Sequence, residues 1–233
     1  MPATNFLSTL EHPGRTWWHR GAPYSRAELF WDGAVHIIGL ALALGLGGVL
    51  VAMAGFRTAP ALVPTLCIYV ASLAVVLGVS MAFNLAPISP VKRVLARLDQ
   101  AGIFLLIAGT YTPILATLGG TTLGNWMLIG VWAAALIGVA LKLLVPERFG
   151  RAALVLYLGI GWSGVAVFQS LAATLPPSTL WLLLAGGVAY CSGIIFHLWE
   201  RLHFHNVLWH CFVVIGAGLH LWAILDCMVL RRL

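Results

Sequence analysis

His205-Asn206-Val207-Leu208-Trp209-His210-Cys211-Phe212-Val213-Val214 opens the last long apolar run of the chain, which continues through His220. A run of this length and character is a membrane-crossing helix, since roughly twenty apolar residues span the hydrocarbon. Two histidines and an asparagine stand in its first turns. Polar side chains at that depth are costly and rarely kept without partners. The rest of the sequence is therefore read for polar groups that meet these histidines at the same depth.

The composition agrees with a membrane class. Of 233 residues, 61% are hydrophobic and only 9% charged, against about a quarter charged in a soluble domain. The mean hydropathy is +0.97. A net charge of +6 comes from basic residues in short loops between apolar runs, which reads as a topology signal. With no clustered basic face or motif, a nucleic-acid partner is excluded. The expected partners are membrane lipids. Cys67, Cys191, Cys211 and Cys227 lie in apolar runs without metal-type spacing and are expected to pack as small apolar side chains.

Seven apolar runs can be counted, at about 30–54, 62–86, 99–118, 124–144, 152–173, 178–199 and 206–229. Turn and stop signals separate them at Gly55 to Pro60, Pro87 to Pro90, Gly119-Gly120, Pro146 and Pro176-Pro177. Strand alternation is absent over any useful length, so a barrel is disfavoured. The expected fold is all-α, a polytopic seven-helix bundle over 30–233, preceded by an N-terminal segment, 1–29, with Trp17 and Trp18 at the bilayer surface. An odd number of crossings puts ten Lys and Arg residues on the face of the N-terminus, and Arg57, Arg231 and Arg232 on the other. This asymmetry predicts a cytoplasmic N-terminus and an external C-terminus, in a bacterial inner membrane.

Orientation fixes depth. Glu28, Asp32 and His36 repeat every four residues at the start of the first run and share one helical stripe. Ser80 and Asn84 repeat that spacing at the end of the second. Asp99 begins the third, and His205 and His210 begin the seventh. These groups sort into one leaflet, the cytoplasmic one, as scattered polar residues would not. His205 lies about 140° round the helix from His210, which makes a shared ligand shell less natural. Thr110-Tyr111-Thr112-Pro113 interrupts the third run, where proline frees a backbone carbonyl that neighbouring hydroxyls can satisfy.

The segments Glu28…Asp32…His36, Ser80-Met81-Ala82-Phe83-Asn84, Arg97-Leu98-Asp99, Ala108-Gly109-Thr110-Tyr111-Thr112-Pro113 and Asn206-Val207-Leu208-Trp209-His210 resemble those of the bacterial hemolysin III family. That family is a branch of the progestin and adipoQ receptor group, which includes the adiponectin receptors. The resemblance implies a zinc ion in the cytoplasmic leaflet, held by a histidine ending the second helix and two, four residues apart, starting the seventh. It also implies a serine and an aspartate beside the zinc-bound water, here Ser80 and Asp99, with His210 as the second histidine of the seventh helix. The other two ligand positions are Asn84 and Asn206, and asparagine is a poor zinc ligand beside imidazole. Two arrangements stay open. A rebuilt metal site draws on His36, His210 and either His205 or a carboxylate such as Asp99, or the cluster is a metal-free hydrogen-bond network.

Three functions follow. In the first, the chain is a metal-dependent intramembrane hydrolase of a lipid amide or ester, with Asp99 taking a proton and Ser80 stabilising the oxyanion. Glu28, Asp32, Asn84 and Asn206 then form the supporting polar network. In the second, it is a non-enzymatic membrane-homeostasis, lipid-sensing or pH-sensing protein with the cluster as its switch. The third, a pore-forming cytolysin, is disfavoured by the lack of an amphipathic pore-lining helix. Retinal photochemistry is excluded, because the only lysines are Lys92 and Lys142, neither in the seventh run.

Overall fold

The computed structural model describes residues 24–146 and 149–231. The interfacial segment expected around Trp17 and Trp18 lies outside the described residues. Seven helical spans are long and apolar enough to cross a membrane, and no strand occurs among the described residues. The protein is an all-α, seven-span membrane protein. Phe30, Ile37, Leu44, Trp126, Val155 and Trp181 are among the large apolar side chains left exposed. An apolar surface of that extent suits lipid and not water.

Helix α1 is Arg26–Arg57. It starts at a capping box: the Glu28 amide donates to Ser25 Oγ at 3.2 Å, and Glu28 Oε2 accepts the Ser25 amide at 2.8 Å. A 3₁₀ turn at Pro60–Leu62 leads into α2, Val63–Leu85. Helix α3 is Pro90–Ala116, with Ser89 as N-cap and proline at its first position. The apolar run at 99–118 is thus the membrane-buried part of a helix that starts in the preceding basic stretch. Helix α4 is Thr122–Leu144.

The fifth span is not one regular helix. It consists of α5, Gly150–Trp162, a 3₁₀ segment at Ser163–Val167, and α6, Phe168–Thr174. Tyr111 explains how the break survives in lipid. Its hydroxyl donates to the Gly161 carbonyl at 2.8 Å and accepts the Gly164 amide at 2.7 Å, meeting backbone groups that have no water to turn to. The hydroxyls flanking Pro113 behave differently from the sequence expectation. Thr110 Oγ1 donates to the Leu106 carbonyl and Thr112 Oγ1 to that of Ala108, at 2.8 and 2.7 Å. Neither reaches Gly109, whose carbonyl lies four residues before the proline.

Helix α7 is Pro177–Leu198 and α8 is His205–Leu225, prolonged by a π-helical turn at Asp226–Leu230. The buried Asp226 carboxylate accepts Ser178 Oγ at 2.6 Å, Thr179 Oγ1 at 2.8 Å and Arg231 Nε at 3.2 Å. It pins the start of α7 to the end of α8. The tightest packing joins α7 with α8, α2 with α3, α3 with α4, and α1 with α2, while α8 returns to α1. The first and last spans are therefore neighbours. Tyr69, Leu73, Leu77, Leu221 and Ile224 are buried in the shared core.

Candidate functional site

Asp32 and His36 stand one turn apart on α1, which brings both to the side facing α2 and α8. Both are almost fully buried, 3% and 1% exposed. His36 Nδ1 lies 2.8 Å from the Asp32 backbone carbonyl. A carbonyl only accepts, so Nδ1 carries the proton and Nε2 is left as an acceptor. Nε2 takes the hydroxyl of Ser80 from α2 at 3.2 Å.

His210 reaches the same carboxylate from α8, with its Nδ1 2.6 Å from Asp32 Oδ1. A short contact between imidazole N–H and carboxylate is a charge-assisted hydrogen bond. It again leaves Nε2 as the free ring position. The two imidazoles pack edge to face, with centroids 4.3 Å apart. Asn206 adds a bridge: its Nδ2 donates to Asp32 Oδ1 at 3.3 Å and to Asn84 Oδ1 at 3.1 Å. Asn84 in turn donates to the Ser80 carbonyl at 2.8 Å.

The other Asp32 oxygen is different. Oδ2 is buried without a hydrogen-bond partner. His36 Nδ1 lies 3.5 Å from it, but that proton is directed at the backbone carbonyl. Asp32, His36 and His210 each offer a donor atom within 4.8 Å of the others. His210 Nε2 and the orphaned Asp32 Oδ2 are open to a divalent cation such as zinc, and His36 Nε2 joins them when the Ser80 hydroxyl turns away. Metal-bound histidines usually donate their other N–H, as both Nδ1 atoms do here.

The sequence expectations fall into place unevenly. Ser80, Asn84, Asn206, Asp32, His36 and His210 form one connected cluster. His205 stands outside the ligand group. Its ring lies near Tyr24, with centroids 6.0 Å apart, and its Nδ1 is buried without a partner. Asp32, placed by sequence in the supporting network, offers a third donor atom to the group that could hold an ion. Glu28 does not touch the metal group. Its Oε1 accepts the Phe204 amide at 3.0 Å and so secures the turn before α8, where Phe204 has a left-handed backbone, φ 61°. Ser80 has its hydroxyl directed at His36.

A large cavity, which the sequence did not signal, adjoins this cluster. It has a volume of about 1060 Å³ and is bounded by α2, α3, the fifth span, α7 and α8. Asn84, Asp99, Asn206 and His210 line one end. Leu106, Ile114, Leu171, Leu180 and Leu183 are among its apolar lining, and Gln100, Thr110, Tyr111, Lys142, Tyr190 and His220 add polar groups. Val165, Phe168 and Trp181 belong both to its wall and to the exposed surface, at 66%, 55% and 70%. The cavity thus opens sideways between the fifth span and α7.

Residues 29–221 match the family described as Haemolysin-III related. The chain is 37% identical over 134 residues to the Hemolysin-3 homolog of Bacillus subtilis, covering 58% of this chain and 63% of that protein. It is 39% identical over 136 residues to Hemolysin-3 of Bacillus cereus, covering 58% and 62%. The human Monocyte to macrophage differentiation factor is 31% identical over 127 residues, or 54% and 52% of the two chains. The match spans less than two thirds of the length of each of these relatives. No solved structure matches the chain.

Proposed function

This chain belongs to the Haemolysin-III related family and has seven apolar spans, and we propose that it hydrolyses an acyl linkage, amide or ester, of a membrane lipid. The single observation that supports this reading is the cavity. Its apolar length suits an acyl chain, its side opening faces the bilayer, and its polar end stops at His210, Asp99, Asn84 and Asn206. A lipid entering sideways with its chain along α8 presents its carbonyl to that polar end.

Asp32, His36 and His210 would hold the divalent cation, zinc by the resemblance. When bound, such an ion polarises a carbonyl and lowers the pKa of water. The chain's own residues do the rest. Asp99 in the cavity wall accepts the proton of the attacking water. Asp32 holds His210 by its Nδ1 proton and fixes the face that the ring turns to the cavity. Ser80, whose hydroxyl His36 Nε2 accepts at 3.2 Å, would turn away for that nitrogen to take the ion, which frees the hydroxyl to stabilise the oxyanion. Asn206 bridges Asp32 and Asn84 and keeps α8 in register with α1 and α2. The lysine and arginine asymmetry supports a site in the cytoplasmic leaflet of a bacterial inner membrane.

The test is elemental analysis of the protein purified in detergent, together with mass spectrometry of fatty acids released from added membrane lipids. Stoichiometric zinc and fatty-acid release are expected, and His210→Ala should lose both. One observation favours a second reading. His210 and Asn206 already donate directly to Asp32, so a network without any ion also holds together. A folded, metal-free protein that releases no fatty acid would make the cluster a sensor of membrane state.

A further inference from the structure

Among the polar side chains that line the cavity are Tyr190 of α7 and His220 of α8. Their rings meet edge to face, with centroids 5.5 Å apart. The helices are shaped to admit them. A Cβ at Gly186 would overlap the His220 ring, and one at Gly216 would come within 3.0 Å of the Tyr190 ring. Each helix offers a glycine opposite the aromatic group of the other, the close approach that glycine permits.

The protonation of His220 follows from its partner. Nε2 lies 3.1 Å from the Leu183 carbonyl, which can only accept, so Nε2 carries the proton. Nδ1 is then a lone pair. Among the described residues nothing donates to that nitrogen, and nothing hydrogen-bonds the Tyr190 hydroxyl. An acceptor left unmet inside the bilayer is costly. Two unmet polar groups facing one cavity are what a ligand with its own hydroxyl would satisfy.

We propose that His220 and Tyr190 form a second polar subsite, which binds a hydroxyl carried part-way along the acyl chain of the lipid. The subsite rests on the reading that the cavity holds an acyl chain with its carbonyl at His210. From His210 to His220 is ten residues along α8, about 15 Å of rise, or roughly a dozen carbons of extended chain. The preferred lipid therefore bears a hydroxyl near the middle of its chain, not next to its carbonyl. His220 Nδ1 accepts the proton of that hydroxyl, and the Tyr190 hydroxyl donates to its oxygen.

Equilibrium competition against radiolabelled stearic acid, on the full-length protein in detergent, tests this without requiring hydrolysis. The competitors are stearic acid, stearic acid hydroxylated at about C12, and stearic acid hydroxylated at about C3. The C12 compound is expected to bind about fivefold more tightly than stearic acid, the gain from two neutral hydrogen bonds at the low end of their usual worth, and the C3 compound no more tightly. His220→Leu should bring the ratio of the C12-compound affinity to the stearic acid affinity down to about one. Equal affinity of the two hydroxylated acids and stearic acid for the unaltered protein would overturn the subsite while leaving the acyl-chain reading intact. Failure of any fatty acid to bind would overturn both.

Discussion

Asp32 carries more of the site than its neighbours. One oxygen receives His210 and Asn206, and the other is buried without a hydrogen-bond partner. Asp32→Ala would leave the buried His210 N–H unpaired and take one of its two acceptors from the part-buried Asn206 amide. Each such group costs about 1–3 kcal/mol, partly recovered by relaxation, so a loss of about 2 kcal/mol is expected in thermal unfolding of the micellar protein, along with the loss of bound zinc. Much of this was legible in sequence. The four-residue repeat of Glu28, Asp32 and His36 announces one polar stripe, and His210 is marked by its place in the last run. Which group completes the trio was not legible. His205 and Asp32 are both credible ligands by type, and only the packing of α1 against α8 turns Asp32 inward and sends His205 towards Tyr24.

At the scale of elements, the seven spans follow from apolar length, because hydrocarbon thickness fixes what a crossing helix needs. The break in the fifth span did not follow. Gly161-Trp162-Ser163-Gly164 has small residues at the right place, yet glycine also serves close packing, and the interruption depends on a hydroxyl from α3, fifty residues earlier. Tyr111→Phe would strand the Gly161 carbonyl and the Gly164 amide where water is scarce. A loss of about 2 kcal/mol is expected, and hydrogen exchange at 161–168 should rise while that of α2 stays unchanged. Since Gly161, Trp162 and Gly164 line the cavity, a looser break also widens the side opening.

The whole molecule is a ring of spans with a cavity on one side and a polar knot at one end. The cavity could not be read from the sequence, because it is a property of helices that fail to touch. Orientation can be measured directly. In a variant whose native cysteines are replaced, a cysteine at Ala59 should react with an impermeant maleimide on intact spheroplasts. A cysteine at Ile88 should react only after permeabilisation. The reverse pattern would turn the bundle over. The adjacency of the first and last spans has a consequence for synthesis. Asp32 and His36 enter the bilayer with α1, but His210 and Asn206 arrive only when α8 leaves the ribosome. Through nearly the whole of translation the carboxylate stands in lipid without its principal donors. A chain stopped before residue 205 is thus more than inactive: it exposes an unpartnered polar group that quality-control proteases can recognise, and supplying α8 as a separate fragment is the remedy.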